Sequence, residues 1–439
     1  MFFMGKKVKE DFEMSKLAIN GGKRVIPEDM PMFHAWPMVD EEDKQAILDV
    51  FYRGIGIWGT NAPETAALQE EWAKYVGVAH CLLTNSGTSA IHIGVRGVGV
   101  GAGDEVLVSA YSYGAAPAAV FHQSAIPVFV DIEPRTFMMD PTKIEERITG
   151  RTRAIMPVHI FGLTADMDAI NEIATKHDLK VVTDAAQAAG SEYNGRKAGA
   201  IEDAAGFSLN PTKNLPGIEG GLFTTNNPEV FEKGTMCSQN IQLLGRERQY
   251  PVYSLGFNYR SNEMTAAFAR SQLRKLDELN EMRIKNCNRL TERLKMLEGL
   301  QPPYVPEGCK HTYHMYRVRF EPKELGIEMP YLQFREKVTA ALEAEGVRCA
   351  QWIDAQAGPN YPLFQVQEGY GDGWPWKWHN RNIKYNMEEY PETKKFIEAS
   401  TEIVGVPIAK SLQVVDLIAD AFFKIWEHKE EVLDIQGGV

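Results

Sequence analysis

The 439-residue chain carries a formal net charge of −12, which argues against a nucleic-acid partner, because phosphate backbones are bound through concentrated basic surface. The opening MFFMGKKVKEDFEM mixes charges and has no apolar run long enough for a secretory leader, and later apolar segments are broken by Pro, His and Gly before a membrane span is reached. A cytoplasmic protein with no membrane partner is therefore expected. The five cysteines (Cys81, Cys237, Cys287, Cys309, Cys349) are odd in number and form no C-x-x-C pair, which argues against a disulfide scaffold and against a metal site.

The length allows one large domain and a smaller one. Residues 1–40 read as an N-terminal arm, 41–285 as the large domain and 286–439 as a small C-terminal domain. From about Trp72 to Thr225, seven apolar runs follow one another: AHCLLTN, DEVLVSA, IPVFVD, RAIMPVH, LKVVTDAA, AAGFSLN and GGLFTTN. They alternate with helical patterns such as SAIHIGVRGVGV and DAINEIATKHD, which predicts an α/β domain with a mainly parallel seven-stranded sheet. One long helix is expected from about Glu263 to Leu300, ending at Gly-Leu-Gln-Pro-Pro and bridging the domains. The segment HTYHMYRVRF, a helix in YLQFREKVTAALEAEG and a last helix from about Val414 to Glu431 predict a small α+β domain. The aromatic-rich GYGDGWPWKWHNRNIKY reads as a loop, either packed by its own rings or closing over a substrate.

Ligands of open α/β sheets bind beyond the carboxyl ends of the strands, so polar residues there are the candidates. Four such places stand out, each with an ordinary structural alternative. TNSGTSAIH leaves a strand and enters a helix whose free N–H groups suit a phosphate; alternatively Thr88 or Ser86 simply caps that helix. Asp184 follows a buried strand, where a carboxylate needs a cationic or hydrogen-bonding partner; alternatively it caps a helix in AAQAAG. Tyr111 and Tyr113 offer rings for a flat ligand, or for the core. Lys213, in FSLNPTKNLPGIEGG, is the fourth, and taken alone is solvated turn chemistry. No G-x-x-x-x-G-K-[ST] or G-x-G-x-x-G occurs, so a nucleotide loop does not compete. Together the four describe a phosphate, an aromatic ring, a ring nitrogen and an aldehyde: pyridoxal 5′-phosphate (PLP).

The ordered set NSGTSAIH, DEVLVSAYSY, PVFVDIEPRTFMMDP, TRAIMPVHIFG, VVTDAAQAAG, FSLNPTKNL, GFNYRSNEMTAA and HTYHMYRV resembles the DegT/DnrJ/EryC1/StrS family of aminotransferases, from about Leu17 to about His428. The resemblance implies the fold type I aminotransferase fold, with Lys213 holding PLP as a Schiff base and Asp184 against the pyridinium nitrogen. It places Gln187 beside the ring hydroxyl, Tyr113 on the ring, and Gly87, Thr88, Ser89 and Ser208 around the phosphate. Asn258 matches an asparagine that reaches the phosphate from a neighbouring subunit, which implies a homodimer with shared sites. Two departures appear: Thr183 stands where many relatives have Glu, and LLGRER where they have a His-Gly. The opening KLAINGGKRV followed by FHAWPMVDEED looks like the branch acting on keto-cyclitols, which includes the aminohydroxybenzoate synthases. The expected reaction moves an amino group from glutamate or glutamine to a keto-sugar or keto-cyclitol in two half-reactions. A sugar dehydratase on the same scaffold has His in place of the lysine, and a non-catalytic sensor is the remaining alternative.

Overall fold

The computed structural model describes residues 16–56, 62–239, 242–244, 247–249, 255–353, 358–380 and 382–435. Each apolar run forms a strand: β1 (His80–Thr84), β2 (Glu105–Ser109), β3 (Ile126–Val130), β4 (Thr152–Met156), β5 (Lys180–Asp184), β6 (Ala204–Ser208) and β7 (Gly221–Thr225). They form one sheet in the order β1-β7-β6-β5-β4-β2-β3. Only β7 is reversed, running antiparallel to both β1 and β6. Consecutive residues such as Val106, Leu107 and Val108 are all buried, the pattern of a sheet covered on both faces. The strand ends that carry polar residues therefore open on one side, where helices begin and backbone N–H groups are free.

The single helix expected from Glu263 to about Leu300 is two helices, Glu263–Leu273 and Leu276–Leu294. Ala266 and Ala269 pack in a cluster with Leu68 and Trp72, whereas Cys287, Leu290 and Leu294 pack with Val318 and Phe422. One straight apolar stripe cannot face both clusters, and the chain turns between them at Arg274 and Lys275. There Lys275 pairs with Asp40 at 2.8 Å and Asp43 at 2.6 Å. The expected domain division at 285/286 falls inside the second helix and stands as a proposal.

The smaller unit has a four-stranded antiparallel sheet in the order Leu300–Gln301, Arg317–Phe320, Ser400–Ile403, Cys349–Ala350. Helices Tyr331–Ala344 and Leu412–Glu427 contribute Phe334, Val338, Val415 and Phe422 to its core. Leu17 and Ile26 of the arm are buried in that same core. The arm is pinned there by Glu345, which accepts from the amides of Ala18 (2.8 Å) and Val25 (3.0 Å). The carboxylate also pairs with Lys424 at 2.8 Å, with both side chains fully buried.

HTYHMYRVRF is a strand only over Arg317–Phe320. Its first residues turn back to the large unit, with Thr312 donating to Gly162 (2.9 Å), His314 donating to Phe161 (2.7 Å), and Tyr313 at φ 47°. The aromatic segment is a loop packed on its own rings. Tyr370 stacks on Trp374 at 4.5 Å, and buried Trp376 donates to the hydroxyl of Tyr385, which donates to the carbonyl of Pro127 in β3. Its described residues do not line the cavity below.

Candidate active site

Residues after β1, β2, β5 and β6 line one cavity of about 350 Å³, in the range of small-ligand sites. The turn after β1 leads into the helix Gly87–Gly97. Ser86 is the cap: its hydroxyl accepts from the amide of Ser89 at 3.1 Å, so of the two expected cap residues Thr88 is not used. Close approach explains two glycines. A Cβ on Gly87 would lie 2.9 Å from Cβ of Ser208, and one on Gly221 would lie 2.3 Å from the carbonyl oxygen of Ser86. The ends of β1, β6 and β7 thus converge around a helix N-terminus whose first amides have no intrahelical partner, an anion-binding arrangement.

Asp184 ends β5 and is buried. It caps no helix, since residues 185–190 form turns; its Oδ1 accepts from the amide of Ala186 at 3.0 Å. Burial pushes its carboxyl up to about 6, opposed by that amide and by Lys213. Lys213 lies in the turn after β6, where its amide donates to the carbonyl of Asn210 (2.9 Å). Burial holds its ammonium below the usual range, against the attraction of Asp184 and Glu219. The two groups are thus drawn toward each other while burial disfavours the charge on either.

Gln187 accepts from the amide of Phe161 at 2.6 Å, which leaves its side-chain nitrogen for a ligand. Tyr113 is 60% exposed and stacks on Trp352 with centroids 6.2 Å apart, whereas Tyr111 is core, edge-on to Phe396. The cavity thus brings together Gly87, Thr88, Tyr113, Asp184, Gln187, Ser208 and Lys213. Ser89, expected at the phosphate, does not line it, and Ser86 does; the Ser89 hydroxyl donates instead to the side chain of Asn85 at 2.7 Å. Asn258 lies outside it, exposed and at φ 59°, between Phe257 and Tyr259, whose rings stack at 5.3 Å. Gly245 and Arg246 of LLGRER lie outside the described residues.

Three neighbours were not found from sequence. His314 Nε2 is 3.4 Å from Lys213 Nζ, Trp36 donates its indole N–H to the Lys213 carbonyl at 3.2 Å, and Trp352 walls the cavity. The two histidines ahead of the RVRF strand were the available signal for His314. Trp36 and Trp352 carried none. Among the described residues there is no cluster of His, Cys, Asp and Glu that could hold a metal ion, and no helix long and apolar enough to cross a membrane.

Residues 37–387 match the model of the DegT/DnrJ/EryC1/StrS aminotransferase family. The L-glutamine:2-deoxy-scyllo-inosose aminotransferase of Streptoalloteichus tenebrarius is 34% identical over 343 residues, covering 74% of this chain and 79% of the relative. The crystal structure of S. venezuelae DesV in complex with a ketimine intermediate is similar with a TM-score of 0.75 at 30% identity, covering 88% of this chain and 94% of that one. The structure of 3-amino-5-hydroxybenzoic acid synthase gives a TM-score of 0.78 at 25% identity, covering 90% and 99%. The residues of the cavity fit PLP. A buried carboxylate pushed up to about 6 suits a proton-bearing ring nitrogen, and the cradle that a Cβ on Gly87 would fill suits a phosphate. The chain belongs to the DegT/DnrJ/EryC1/StrS aminotransferase family and is a PLP-dependent aminotransferase.

Proposed function

We propose that Lys213 carries the cofactor and that the enzyme moves an amino group from glutamate or glutamine to a keto-cyclitol or keto-sugar, alternating two half-reactions in one site. The observation that carries this reading is that Lys213 and Asp184, from different strand ends, line one cavity and are both disfavoured as isolated charges by burial. Bound there, PLP supplies an electron sink for the pair left at Cα when its proton departs. Asp184 keeps the proton on the ring nitrogen. Ser86, Gly87 and Thr88, at the start of the helix, with Ser208 beside them, hold the phosphate, Tyr113 packs on the ring, and Gln187 reaches the ring hydroxyl. With the cofactor bound and the donor amine in its place, Lys213 Nζ would take the proton from the donor Cα and deliver it to the C4′ carbon of the cofactor. Burial, which holds that nitrogen below the usual lysine range, favours the neutral form a base needs.

The acceptor class rests on the scyllo-inosose relative and on the opening FHAWPMVDEED, whose Trp36 meets the Lys213 carbonyl. We further infer a cytoplasmic homodimer in which the partner subunit's Asn258 completes the phosphate site. The stacked Phe257 and Tyr259 hold that loop while Asn258 is directed outward. Borohydride treatment of the yellow protein followed by peptide mass spectrometry tests the lysine: a pyridoxyl group is expected on the peptide containing Lys213. A label on a different lysine refutes the reading.

A further inference from the structure

We propose that Trp36, Arg283 and His314 form a clasp that holds the Lys213 amine in position, with His314 as the positioning residue at its end. This rests on Lys213 being the cofactor lysine. Segments far apart in the chain meet to build it. Trp36, from the arm, grips the lysine at its backbone through the 3.2 Å bond to its carbonyl. The same indole lies against the Arg283 guanidinium, 4.1 Å from its carbon, within cation–π range. Arg283 Nη1 donates to the carbonyl of Tyr313 at 3.2 Å, and the next residue is His314, whose Nε2 lies 3.4 Å from Lys213 Nζ. The contacts therefore close into a ring that begins at the lysine's carbonyl and ends at its amine. A second tie runs alongside: Asn214, next to the lysine, donates to the carbonyl of Thr312 at 2.8 Å and to Asn280 at 2.9 Å.

Arg283 is 3% exposed; its guanidinium donates to a backbone carbonyl, and among the described residues no carboxylate acts on it. A buried guanidinium without a carboxylate is costly, and among the same residues its Nε has no hydrogen-bond partner. Holding the 311–314 loop against the lysine supplies the reason. His314 is 8% exposed; burial, Lys213 and Arg283 all keep the imidazole neutral. Its Nδ1 is buried with no hydrogen-bond partner among the described residues, so the tautomer is set at the lysine; in the proposed clasp Nε2 is the acceptor of one N–H from Lys213. The lysine's lone pair is then turned away from the imidazole and its four-carbon stem is fixed, so the base is oriented before the substrate proton needs it.

The test uses the full-length protein with His314→Phe, which removes the acceptor, and His314→Gln, which restores one. With Phe, kcat of both half-reactions is expected to fall about a hundredfold, while KM for donor and acceptor stays within about twofold; Gln is expected to recover about tenfold of the loss. A second readout needs no cofactor. Competitive acetylation with acetic anhydride, measured by mass spectrometry on the Lys213 peptide against exposed Lys44, follows the titration of the amine. A hydrogen bond to an ammonium favours the charged form, so Phe is expected to move the Lys213 midpoint down by about one pH unit and Gln to return it. Asp184 and Glu219, the carboxylates that act on Lys213, are unchanged in both variants. If Phe is not accommodated, His314→Ala carries the same expectation. An unmoved midpoint, or a Gln variant as slow as Phe, overturns the clasp while the pyridoxyl label stays on Lys213; a label on another lysine overturns both readings.

Discussion

Asp184 offers a measurement whose sign changes with the cofactor. The residue is 4% exposed, and burial moves its carboxyl from 3.8 to about 6. In the protein without PLP, the folded state then holds the proton more tightly than the unfolded chain between those two values. Stability attributable to this group is therefore greatest below the lower value and falls as pH rises through the window. A shift of about two units corresponds to about 3 kcal/mol against the ionised form at pH 8, and about 1 kcal/mol remains at pH 4.5. Asp184→Asn keeps an oxygen for the amide of Ala186 and removes the charge. Without PLP the variant is expected to be more stable than the wild type by about 3 kcal/mol at pH 8, with the gap shrinking to about 1 kcal/mol at pH 4.5. Urea unfolding at the two pH values measures this. With PLP added, the order reverses in the size of the cofactor's effect: the wild type gains more, because only its carboxylate meets a protonated ring nitrogen. An Asn variant less stable than the wild type at pH 8 without PLP, or one equally stabilised by it, would refute the assignment and leave Asp184 as a turn residue.

Gly87→Ala places a methyl group 2.9 Å from Cβ of Ser208, so the phosphate cradle must open; PLP affinity is expected to drop about tenfold, and an unchanged Kd in equilibrium dialysis would contradict it. Lys424→Met leaves the Glu345 carboxylate buried beside the amides of Ala18 and Val25 and is expected to lower stability by about 3–5 kcal/mol. Pairing it with Glu345→Gln, which removes the charge and keeps an oxygen for those amides, should recover much of that loss, and urea midpoints that fail to recover would argue against a shared charge. Mixing inactive Lys213→Ala chains with inactive Asn258→Asp chains is expected to restore up to about a quarter of wild-type activity, since half the dimers are mixed and each of these has one intact site. No recovery after verified subunit exchange rules out the shared site.

Local signals carried most of the large unit. Each strand is an apolar run of about five residues bounded by turn residues, and burial on both faces removes any need for alternation, which is why all seven could be placed. Candidate ligands followed from the same runs, because Asp184, Ser208 and Tyr113 sit at or just beyond strand ends and Lys213 in the turn that follows. The choice between Ser86 and Thr88 as cap was not legible, since both hydroxyls stand next to the helix start and only the extended backbone at Ser86 (φ −163°, ψ 161°) decides it. The break at Arg274 and Lys275 was also hidden: apolar spacing stays helical through it, and the turn exists because two separate cores claim the two halves. His314, Trp36 and Trp352 lie in segments more than a hundred residues from Lys213. Their approach depends on how the arm and the smaller sheet fold back onto the large one, which side-chain type and spacing do not encode. The sequence by itself determined where the strands end and which chemistry waits there. Tertiary structure alone decided which distant side chains surround the lysine, because those contacts are set by long-range packing of cores.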